Sequence, residues 1–459
     1  MSPAAPRGIG GAAAVALGAA LLVWPAWVNG YPLVFSDTGG FLHQTLGPLM
    51  LWDKPYVYGP FLHLFHWRIS LWAPLAAQAA MMSHLLWLAQ RCVCGEARPL
   101  WHLAIVAFVA AATPAPFTVA LLMPDVFAPV VVLALVLLGT ARERLGRYEI
   151  AYLATLALVA IAAHLSHLPL AATTIAALVA LDLLLLRAPR RGWSLLVSPL
   201  AAAVAILLAT NAIGHGRASL SPHGATFLLA RLQSDGPATE TLRARCPQAG
   251  WYLCDFVDRL PMDSDAFLWG PDSPVNRDAA GNERFLGGAL LSPEAATIVG
   301  ETLRRDPAGV AAAIMRNTLR QLAMFGIGDT LGDDWLAVTV ARRLADGFPA
   351  REAAAFAAAP QARGELRAAL AGADAAHLPA LLLALPALAF AALRAVRSAD
   401  RVALALVLCV GVGVVANAAI AGGLSKPHPR YQARIVWLLP AAAALLLLPP
   451  RPRPPAERR

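Results

Sequence analysis

Two aspartates in this chain lie where a carboxylate could act as a general base. Asp37 belongs to the stretch YPLVFSDTGGFLHQ, directly after the first long apolar run, and Asp125 belongs to MPDVF, between two further apolar runs. A partly desolvated carboxylate can take a proton from a substrate hydroxyl. Either residue could instead cap the helix that follows it, and the two roles are compatible. If Asp37 and Asp125 converge, they could share a divalent cation; without a metal, their like charges would raise one pKa and favour a base.

A basic cluster near the end of the sequence points to phosphate chemistry. The segment GGLSKPHPRYQARIVW carries Lys426, His428, Arg430 and Arg434. Arginine binds phosphate oxygens through two parallel hydrogen bonds, and a leaving phosphate gains charge in the transition state. We therefore expect the cluster to bind a phosphate or pyrophosphate group. Ion pairs with acidic residues elsewhere in the chain, or contacts with lipid headgroups, are the alternatives.

Two histidines are spaced to share one face of a helix. His164 and His167 occur in AHLSHLP, three positions apart. Two imidazoles at this spacing can bind zinc if a third ligand comes from elsewhere. They can also contact a phosphate or another part of a substrate, or form hydrogen bonds with the backbone. The sequence leaves these roles open.

The elements that must position these residues are membrane-spanning helices. The chain has 459 residues, of which 58% are hydrophobic and 14% are charged. Apolar runs of about 20 residues recur, which is the length that crosses a hydrocarbon core. They lack a two-residue alternation, which favours helices over the strands of a barrel. The sequence thus predicts an all-α polytopic membrane protein of about ten spans, with approximate bounds 10–29, 70–90, 100–121, 124–140, 149–167, 169–187, 194–213, 378–397, 401–421 and 433–449.

The arginines between the predicted spans set the orientation. With both termini in the cytoplasm, every short inside segment is basic, as the positive-inside rule requires. The net charge of +9 then mostly reflects topology, and a nucleic-acid partner is not needed to explain it. The inside segments contain Arg7, Arg91, Arg98, Arg142, Arg144, Arg147, Arg187, Arg190, Arg191, Arg394, Arg397, Arg401, Arg451, Arg453, Arg458 and Arg459.

Four regions follow from this topology. Residues 1–213 are predicted to form an N-terminal transmembrane module of about seven spans, with residues 30–69 as its first outside loop. Residues 214–376 are predicted to form a mostly helical extracytoplasmic domain. Residues 377–449 would supply about three further spans, and residues 450–459 a disordered cytoplasmic tail.

The predicted outside domain contains Cys246 and Cys254. An oxidising exterior allows these two thiols to form a disulfide. Packing of the two thiols without a covalent bond is the alternative. The pattern of the chain does not decide between them.

One stretch of the chain resembles a known family. The pattern S-D-T-x-x-F-L, followed by KPYVYGPFLHLF, is similar to the start of the type C glycosyltransferase superfamily. The match falls on Asp37, Phe41 and Leu42, and more loosely on Lys54, Pro55, Tyr58 and Pro60. The resemblance implies a polytopic helical membrane enzyme that uses a lipid-phosphate-linked sugar. It also implies that Asp37 is the essential acid of the first outside loop and that Asp125 is a second acid that binds metal or holds the acceptor.

The function expected from these features is inverting glycosyl transfer in the inner membrane of a bacterial cell. Asp37 would deprotonate an acceptor hydroxyl that attacks a polyprenyl-phosphate-linked sugar. Arg430 and Arg434, aided by Lys426 and His428, would stabilise the departing phosphate. The same donor site is expected to include Tyr58, His164 and His167. Expected partners are the lipid-linked donor and membrane lipids, and a divalent metal is an optional cofactor.

Two other functions compete with this expectation. A transporter or flippase of lipid-linked sugars would place polar groups at mid-depth in its spans. Asp182, Asn211 and Asn417 lie in or near predicted spans, but they are expected to be scattered and unpaired, with Asp182 either snorkelling or pairing with Arg187. A non-enzymatic envelope assembly protein would instead use its large outside segment to bind a partner.

Overall fold

The computed structural model describes residues 7–47, 50–185 and 193–448. Within these ranges the chain is 75% helical and contains no strands, which confirms the all-helical class. Two isolated β-bridges join Leu33 to Leu121 and Arg277 to Glu283. The predicted tail at 450–459 and the arginines at 187, 190 and 191 lie outside the described residues.

The helices are mostly short, and several are separated by a single turn. The α-helices of the described residues are α1 (Arg7–Leu22), α2 (Trp24–Asn29), α3 (Ser36–Leu46), α4 (Tyr58–His66), α5 (Trp72–Cys94), α6 (Pro99–Ala112), α7 (Ala115–Ala120), α8 (Phe127–Thr140), α9 (Arg147–Ala162), α10 (His167–Ala180), α11 (Trp193–His215), α12 (Gly224–Asp235), α13 (Pro237–Arg245), α14 (Ser264–Trp269), α15 (Gly287–Arg305), α16 (Pro307–Leu322), α17 (Arg342–Gly347), α18 (Ala350–Ala358), α19 (Leu366–Ala369), α20 (His377–Ser398), α21 (Arg401–Ala418), α22 (Pro429–Val436) and α23 (Leu438–Leu447). Short 3₁₀ helices cover Pro124–Val126, Arg142–Arg144, Tyr252–Arg259 and Gly328–Thr330, and π-helical turns cover Leu181–Leu185, Ala337–Ala341 and Ala419–Gly423.

Among the described residues, four helical segments are long and apolar enough to cross a membrane. They are His167–Leu184, Trp193–His215, His377–Ser398 and Arg401–Gly423. Each of the other predicted spans coincides with helix, but that helix is shorter, interrupted or less apolar. Within the predicted span 100–121, for example, the first helix ends at Ala112, because Thr113 is extended and the prolines that follow it lack a backbone N–H. Four segments of membrane-crossing length indicate that this is a membrane-associated protein.

Helix α20 shows the surface expected of a helix that faces lipid. Its small residues Ala384, Ala391 and Ala395 are buried where it packs on α21 and α23. Its opposite face exposes large apolar side chains, which would be unfavourable in water. These are Leu378, Leu382, Leu383, Leu385, Phe390, Leu393 and Val396.

The buried apolar residues of the described ranges form two separate cores. The larger core contains side chains from the membrane-length helices and also from the segment 327–370. The smaller core lies within residues 229–310, where α12 packs on α13, α14 and α15. The region predicted as one outside domain, 214–376, is therefore divided. Its first part is a small helical unit with its own core, and its last part packs into the main body.

Arginines from segments predicted to face the cytoplasm contact each other's loops. Arg91 donates to Glu149 at 2.5 Å, and Arg144 donates to the carbonyl of Cys92. Arg394 donates to the carbonyl of Leu446. These contacts tie the ends of α5, α8, α9, α20 and α23 together at one end of the bundle.

The interpretation of Asp182 as snorkelling or pairing with Arg187 needs correction. Asp182 accepts two hydrogen bonds from Arg401, from Nε at 2.7 Å and from Nη2 at 2.6 Å. Both side chains are largely buried. This bidentate pair joins the π-helical turn after α10 to the start of α21, and the charge of Arg401 neutralises a carboxylate that would be costly if it were buried alone.

Candidate functional site

The loop that carries Asp37 is fixed against the loop that precedes Asp125. Leu33 donates its backbone N–H to Ala120 at 3.1 Å and accepts from Leu122 at 2.9 Å, so the two segments pair over one residue. The hydroxyl of Thr38 then donates to the carbonyl of Leu122 at 3.0 Å. These contacts place the first turn of α3 beside the segment that leads into Asp125.

Two glycines allow the close packing that seats α3. A Cβ atom at Gly39 would lie 2.7 Å from the backbone of Thr339, and a Cβ atom at Gly59 would lie 2.6 Å from the carbonyl oxygen of Phe41. Both distances are too short for a real side chain. The glycine in S-D-T-G-G therefore serves a close contact between α3 and the π-helical turn at 337–341.

Asp125 lies at the centre of a buried ionic cluster. Its Oδ2 faces Nη1 of Arg430 at 3.3 Å, and its Oδ1 faces Nη1 of Arg434 at 3.4 Å. All three side chains are at least nine-tenths buried. The structure thus brings together one acid and two arginines that the sequence separates by about 300 positions.

Arg434 uses its guanidinium entirely within the protein. Nε and Nη2 donate to the side-chain oxygen of Asn417 at 3.1 and 2.8 Å, and Nη2 also donates to the hydroxyl of Ser166 at 3.0 Å. Asn417 in turn donates to the carbonyl of Tyr431 at 2.6 Å. Asn417 is therefore not an unpaired polar residue, as the sequence suggested. Because its donors already have partners, Arg434 is suited to position Asp125 and not to bind a ligand.

Asn211, the other polar residue expected to be unpaired, also has partners. Its side-chain amide donates to the carbonyls of Ser219 at 2.7 Å and Leu220 at 3.1 Å. It therefore holds the chain that leaves α11. Asn211 thus fixes the segment that connects α11 to the small helical unit.

Arg430 has a different environment from Arg434. Its guanidinium carbon lies 4.1 Å from the ring centroid of Phe35, which is two residues before Asp37. Its backbone N–H donates to Oδ2 of Asp329 at 3.1 Å. Nε of Arg430 and Oδ1 of Asp329 are both buried without a hydrogen-bond partner among the described residues. A buried donor without a partner is costly, and an oxygen atom of a bound anion would satisfy it.

The electric field around Arg430 comes from several acids. Burial alone would lower its pKa, but the carboxylate of Asp125, Tyr431, and the carboxylates of Asp37 and Asp329 raise it above the ordinary value. Asp37 is thus close enough to Arg430 to act on its charge. The guanidinium is always protonated in this setting.

Asp37 is the more open of the two predicted acids. About a third of its side chain is exposed, 37% against 4% for Asp125. Its Oδ1 lies 3.1 Å from Nζ of Lys54, which also contacts Asp53. Burial would lower the pKa of Lys54, but Asp37 and Asp53 together raise it above the ordinary value. The ammonium therefore stays charged, and a solvent-accessible Asp37 stands next to a fixed cation.

The histidine pair is divided between two roles. Nδ1 of His164 lies 2.7 Å from the hydroxyl of Ser166, which also accepts from Arg434, so His164 borders the ionic cluster. Nδ1 of His167 donates to the carbonyl of Ala160 at 2.7 Å. His167 therefore makes a backbone contact at the turn between α9 and α10. The two rings lie 5.2 Å apart between centroids, but among the described residues no third His, Cys, Asp or Glu completes a metal-binding group with them.

Tyr58 lies in the aromatic packing below α3. Its ring contacts Phe41, Phe61 and Phe127, and its hydroxyl donates to Gln78 at 3.4 Å. Burial, followed by the nearby charge of Asp125, raises its pKa well above the ordinary value. Tyr58 is thus a buried packing residue close to Asp125.

Lys426 and His428 lie apart from the arginines. Nζ of Lys426 contacts Asp263 at 2.7 Å and Asp265 at 2.8 Å, and Nε2 of His428 lies 3.3 Å from Asp265. Burial would raise the pKa of Asp265, but His428 and Lys426 lower it to about 2. This is the ion-pairing alternative for these two residues. They connect the last loop to the small helical unit.

The surroundings of the predicted acids do not fit a divalent cation. Both carboxylate oxygens of Asp125 face guanidinium groups, and Asp37 faces an ammonium group. A cation placed there would be repelled by three fixed positive charges. Within residues 7–47, 50–185 and 193–448, no group of three or more His, Cys, Asp or Glu side chains could hold a metal.

No protein-family model, curated protein or solved structure matches this chain.

Several residues of the site were not singled out in the sequence. Phe35 covers Arg430, Asp329 faces its backbone, and Ser166 joins Arg434 to His164. Each acts through a contact between segments far apart in the chain, and the spacing of neighbouring residues does not predict such a contact. Cys246 and Cys254, in contrast, form a disulfide in the structure.

Proposed function

We propose that this protein is an inverting glycosyltransferase that moves a sugar from a polyprenyl-phosphate donor to an acceptor hydroxyl. The observation that carries the proposal is the pairing of an accessible acid with a free arginine donor. Asp37 is partly exposed, and Arg430, which lies within the field of Asp37, has a buried Nε without a partner among the described residues. A base and an anion-binding group in the same region are the two elements that such a transfer needs.

The chemical step follows from these roles. Asp37 accepts the proton of the acceptor hydroxyl, and the hydroxyl oxygen forms a bond to the anomeric carbon. The bond from that carbon to the phosphate oxygen breaks on the opposite face, so the configuration inverts. The electron pair remains on the phosphate, and Arg430 stabilises the added negative charge. A phosphate is already a good leaving group, so no general acid is required.

Asp125 and Arg434 support the step without touching the reacting atoms. Arg434 is held by Asn417 and Ser166, and it fixes one oxygen of Asp125. Asp125 then holds Nη1 of Arg430. In this arrangement Nε of Arg430 keeps its direction because the opposite side of the guanidinium is anchored.

The membrane topology that we propose has about ten spans with both termini in the cytoplasm. Contacts within the bundle support it. Arg91 with Glu149, Arg144 with Cys92 and Arg394 with Leu446 join segments predicted to be inside. Asp125, Ser166 and Arg434 lie at the outer ends of three predicted spans, and they also meet. The site would then open toward the extracytoplasmic leaflet of a bacterial inner membrane.

Donor turnover tests the proposal. Purified protein in nanodiscs is mixed with a panel of polyprenyl-phosphate sugars and with membranes of the source cell as acceptor, and release of polyprenyl phosphate is measured. Wild-type protein should consume at least one donor, and Arg430→Gln should lose about 10²-fold or more of the rate. Arg91→Gln removes an arginine from the opposite end and should keep the wild-type rate. Equal rates for Arg430→Gln and wild type, or no donor consumed, would contradict the proposal.

The same experiment separates the enzyme from a transporter. An enzyme yields a covalent sugar product on the acceptor, whereas a flippase moves an intact donor between leaflets. The polar residues near the spans support the enzyme, because Asp182 is neutralised by Arg401 and Asn417 is bonded to Arg434. They are used for structure, and a mid-depth ion or sugar path would need such groups free.

A further inference from the structure

A cluster of aromatic side chains lies between the small helical unit and the loop of Asp37. Trp52 stacks on Phe227 of α12 at 5.3 Å between ring centroids, and it lies 5.8 Å from Trp269 at the end of α14. A Cβ atom at Gly288 would lie only 2.2 Å from the ring of Trp52. Trp52 is therefore packed tightly against the small helical unit, and its ring forms a fixed contact surface for Trp269.

Trp269 is the open member of this cluster. Of its surface, 44% is exposed, although it is a large apolar residue packed beside two other rings. Its ring lies 5.8 Å from Nζ of Lys54, and Nζ lies 3.1 Å from Asp37. The exposed indole is thus one side chain away from the proposed base.

The charges around Trp269 decide which ligand fits. Lys54 stands beside the indole and contacts Asp37, so an acyl or isoprenoid chain placed there would have to desolvate the partly exposed carboxylate of Asp37. A sugar ring has an apolar C–H face that can pack on an indole and hydroxyl edges that can donate to carboxylates. The mixed surface of one aromatic plane and adjacent ionised groups matches a polyhydroxylated ring.

We propose that Trp269 is the acceptor subsite and that the acceptor presents a carbohydrate ring to Asp37. The ring stacks on the exposed indole, and one of its hydroxyls then points to the carboxylate of Asp37, beside Lys54. This inference rests on the proposed function, because it assigns the substrate class of the same site. It names a saccharide as acceptor, and it excludes a lipid tail or an unmodified peptide at this position.

The test is saccharide binding without any donor. Detergent-solubilised protein is applied to an array of bacterial surface saccharides, and the apparent affinity for each retained glycan is measured. Wild-type protein should bind at least one glycan. Trp269→Leu, which keeps an apolar side chain against Trp52, should weaken that binding about tenfold or more, and Trp269→Tyr should retain most of it.

Trp101 provides the matched control. Its exposed fraction, 41%, is similar to that of Trp269, but it lies on α6, which is outside the small helical unit. Trp101→Leu should bind the array as wild type does. The subsite is overturned if no glycan is retained, or if Trp269→Leu binds as tightly as wild type. Asp37→Asn separates the two proposals, because it should bind the glycan and fail to transfer sugar. Glycan binding without transfer by any donor would remove the enzyme and keep the subsite, and transfer to a non-sugar acceptor would remove the subsite and keep the enzyme.

Discussion

Asp37 and Asp125 are both acids that face cations, but they occupy opposite environments. Asp125 is buried between two arginines, and both of its oxygens are used. Asp37 is 37% exposed and faces a single lysine with one oxygen. A carboxylate that is fully paired and dry can hold other groups in place, but it cannot accept a substrate proton easily. Of the two acids, Asp37 is therefore the one that we propose as the base.

Removal of the buried acid should have the largest effect on stability. Asp125→Ala leaves two buried guanidinium groups without their shared counter-charge, so we expect the free energy of unfolding to fall by about 3–5 kcal/mol. Thermal unfolding of the purified variant in detergent measures the change. Glu149→Ala is the control, because it removes the partner of a more exposed arginine, Arg91, and should cost less than about 1 kcal/mol. Equal stability of Asp125→Ala and wild type would show that the cluster does not hold the fold.

His66 is a buried base beside positive charges, so its neighbours disfavour its charged form, whereas those of Asp125 favour the charged form. His66 is buried, and burial, then His63 and Arg68, lower its pKa to about 4. His66 of the folded protein therefore binds a proton only at a lower pH than in the unfolded protein, where histidine titrates near pH 6.5. Stability should be constant above pH 6.5 and should fall by up to about 1.4 kcal/mol per pH unit between 6.5 and 4.

The control for His66 is a residue of similar shape that does not titrate. In His66→Gln this part of the acid loss should disappear, so the slope of unfolding temperature against pH becomes flatter between 6.5 and 4. The measurement is thermal unfolding at half-unit steps of pH. A slope identical to that of wild type would show that His66 is protonated at the same pH in the folded and the unfolded protein, so that its pKa is not lowered by folding.

The contact between Lys426 and Asp265 should have the smallest effect. Both side chains are partly exposed, so Lys426→Ala should change stability by less than about 1 kcal/mol. The pKa of Asp265 is lowered to about 2, so the pair persists at neutral pH and is lost only as pH falls from about 4 toward 2. Limited proteolysis of the small helical unit should be the same at pH 7 and pH 5. Release of the unit at pH 5 would mean that another titrating group controls the contact.

Some of this arrangement could be read from the sequence. Apolar run lengths gave helices at each predicted span, because backbone hydrogen bonding in an apolar run leaves few other structures. The meeting of Asp125 with Arg430 and Arg434 agrees with a topology in which all three lie on one side. The spacing of Cys246 and Cys254 allowed their bond. These features depend on local pattern or on membrane sidedness.

The partners of individual charges could not be read in this way. Lys426 and His428 are near Arg430 in sequence, yet they face Asp263 and Asp265, because the small helical unit packs over that end of the loop. Asp182 pairs with Arg401 and not with an arginine close in sequence. The partner of each charge depends on how the helices pack against each other, and the hydropathy pattern does not predict that packing.

The measurement that tests the account most directly compares the two acids in one assay. Asp37→Asn and Asp125→Asn are purified, and each is scored for thermal unfolding and for release of polyprenyl phosphate from the donor that wild type consumes. Asp37→Asn should unfold as wild type does and lose about 10²–10⁴-fold of the rate, because only its proton-accepting role is removed. Asp125→Asn should be clearly less stable. An Asp37→Asn protein with full turnover would contradict the central claim that the open acid is the base.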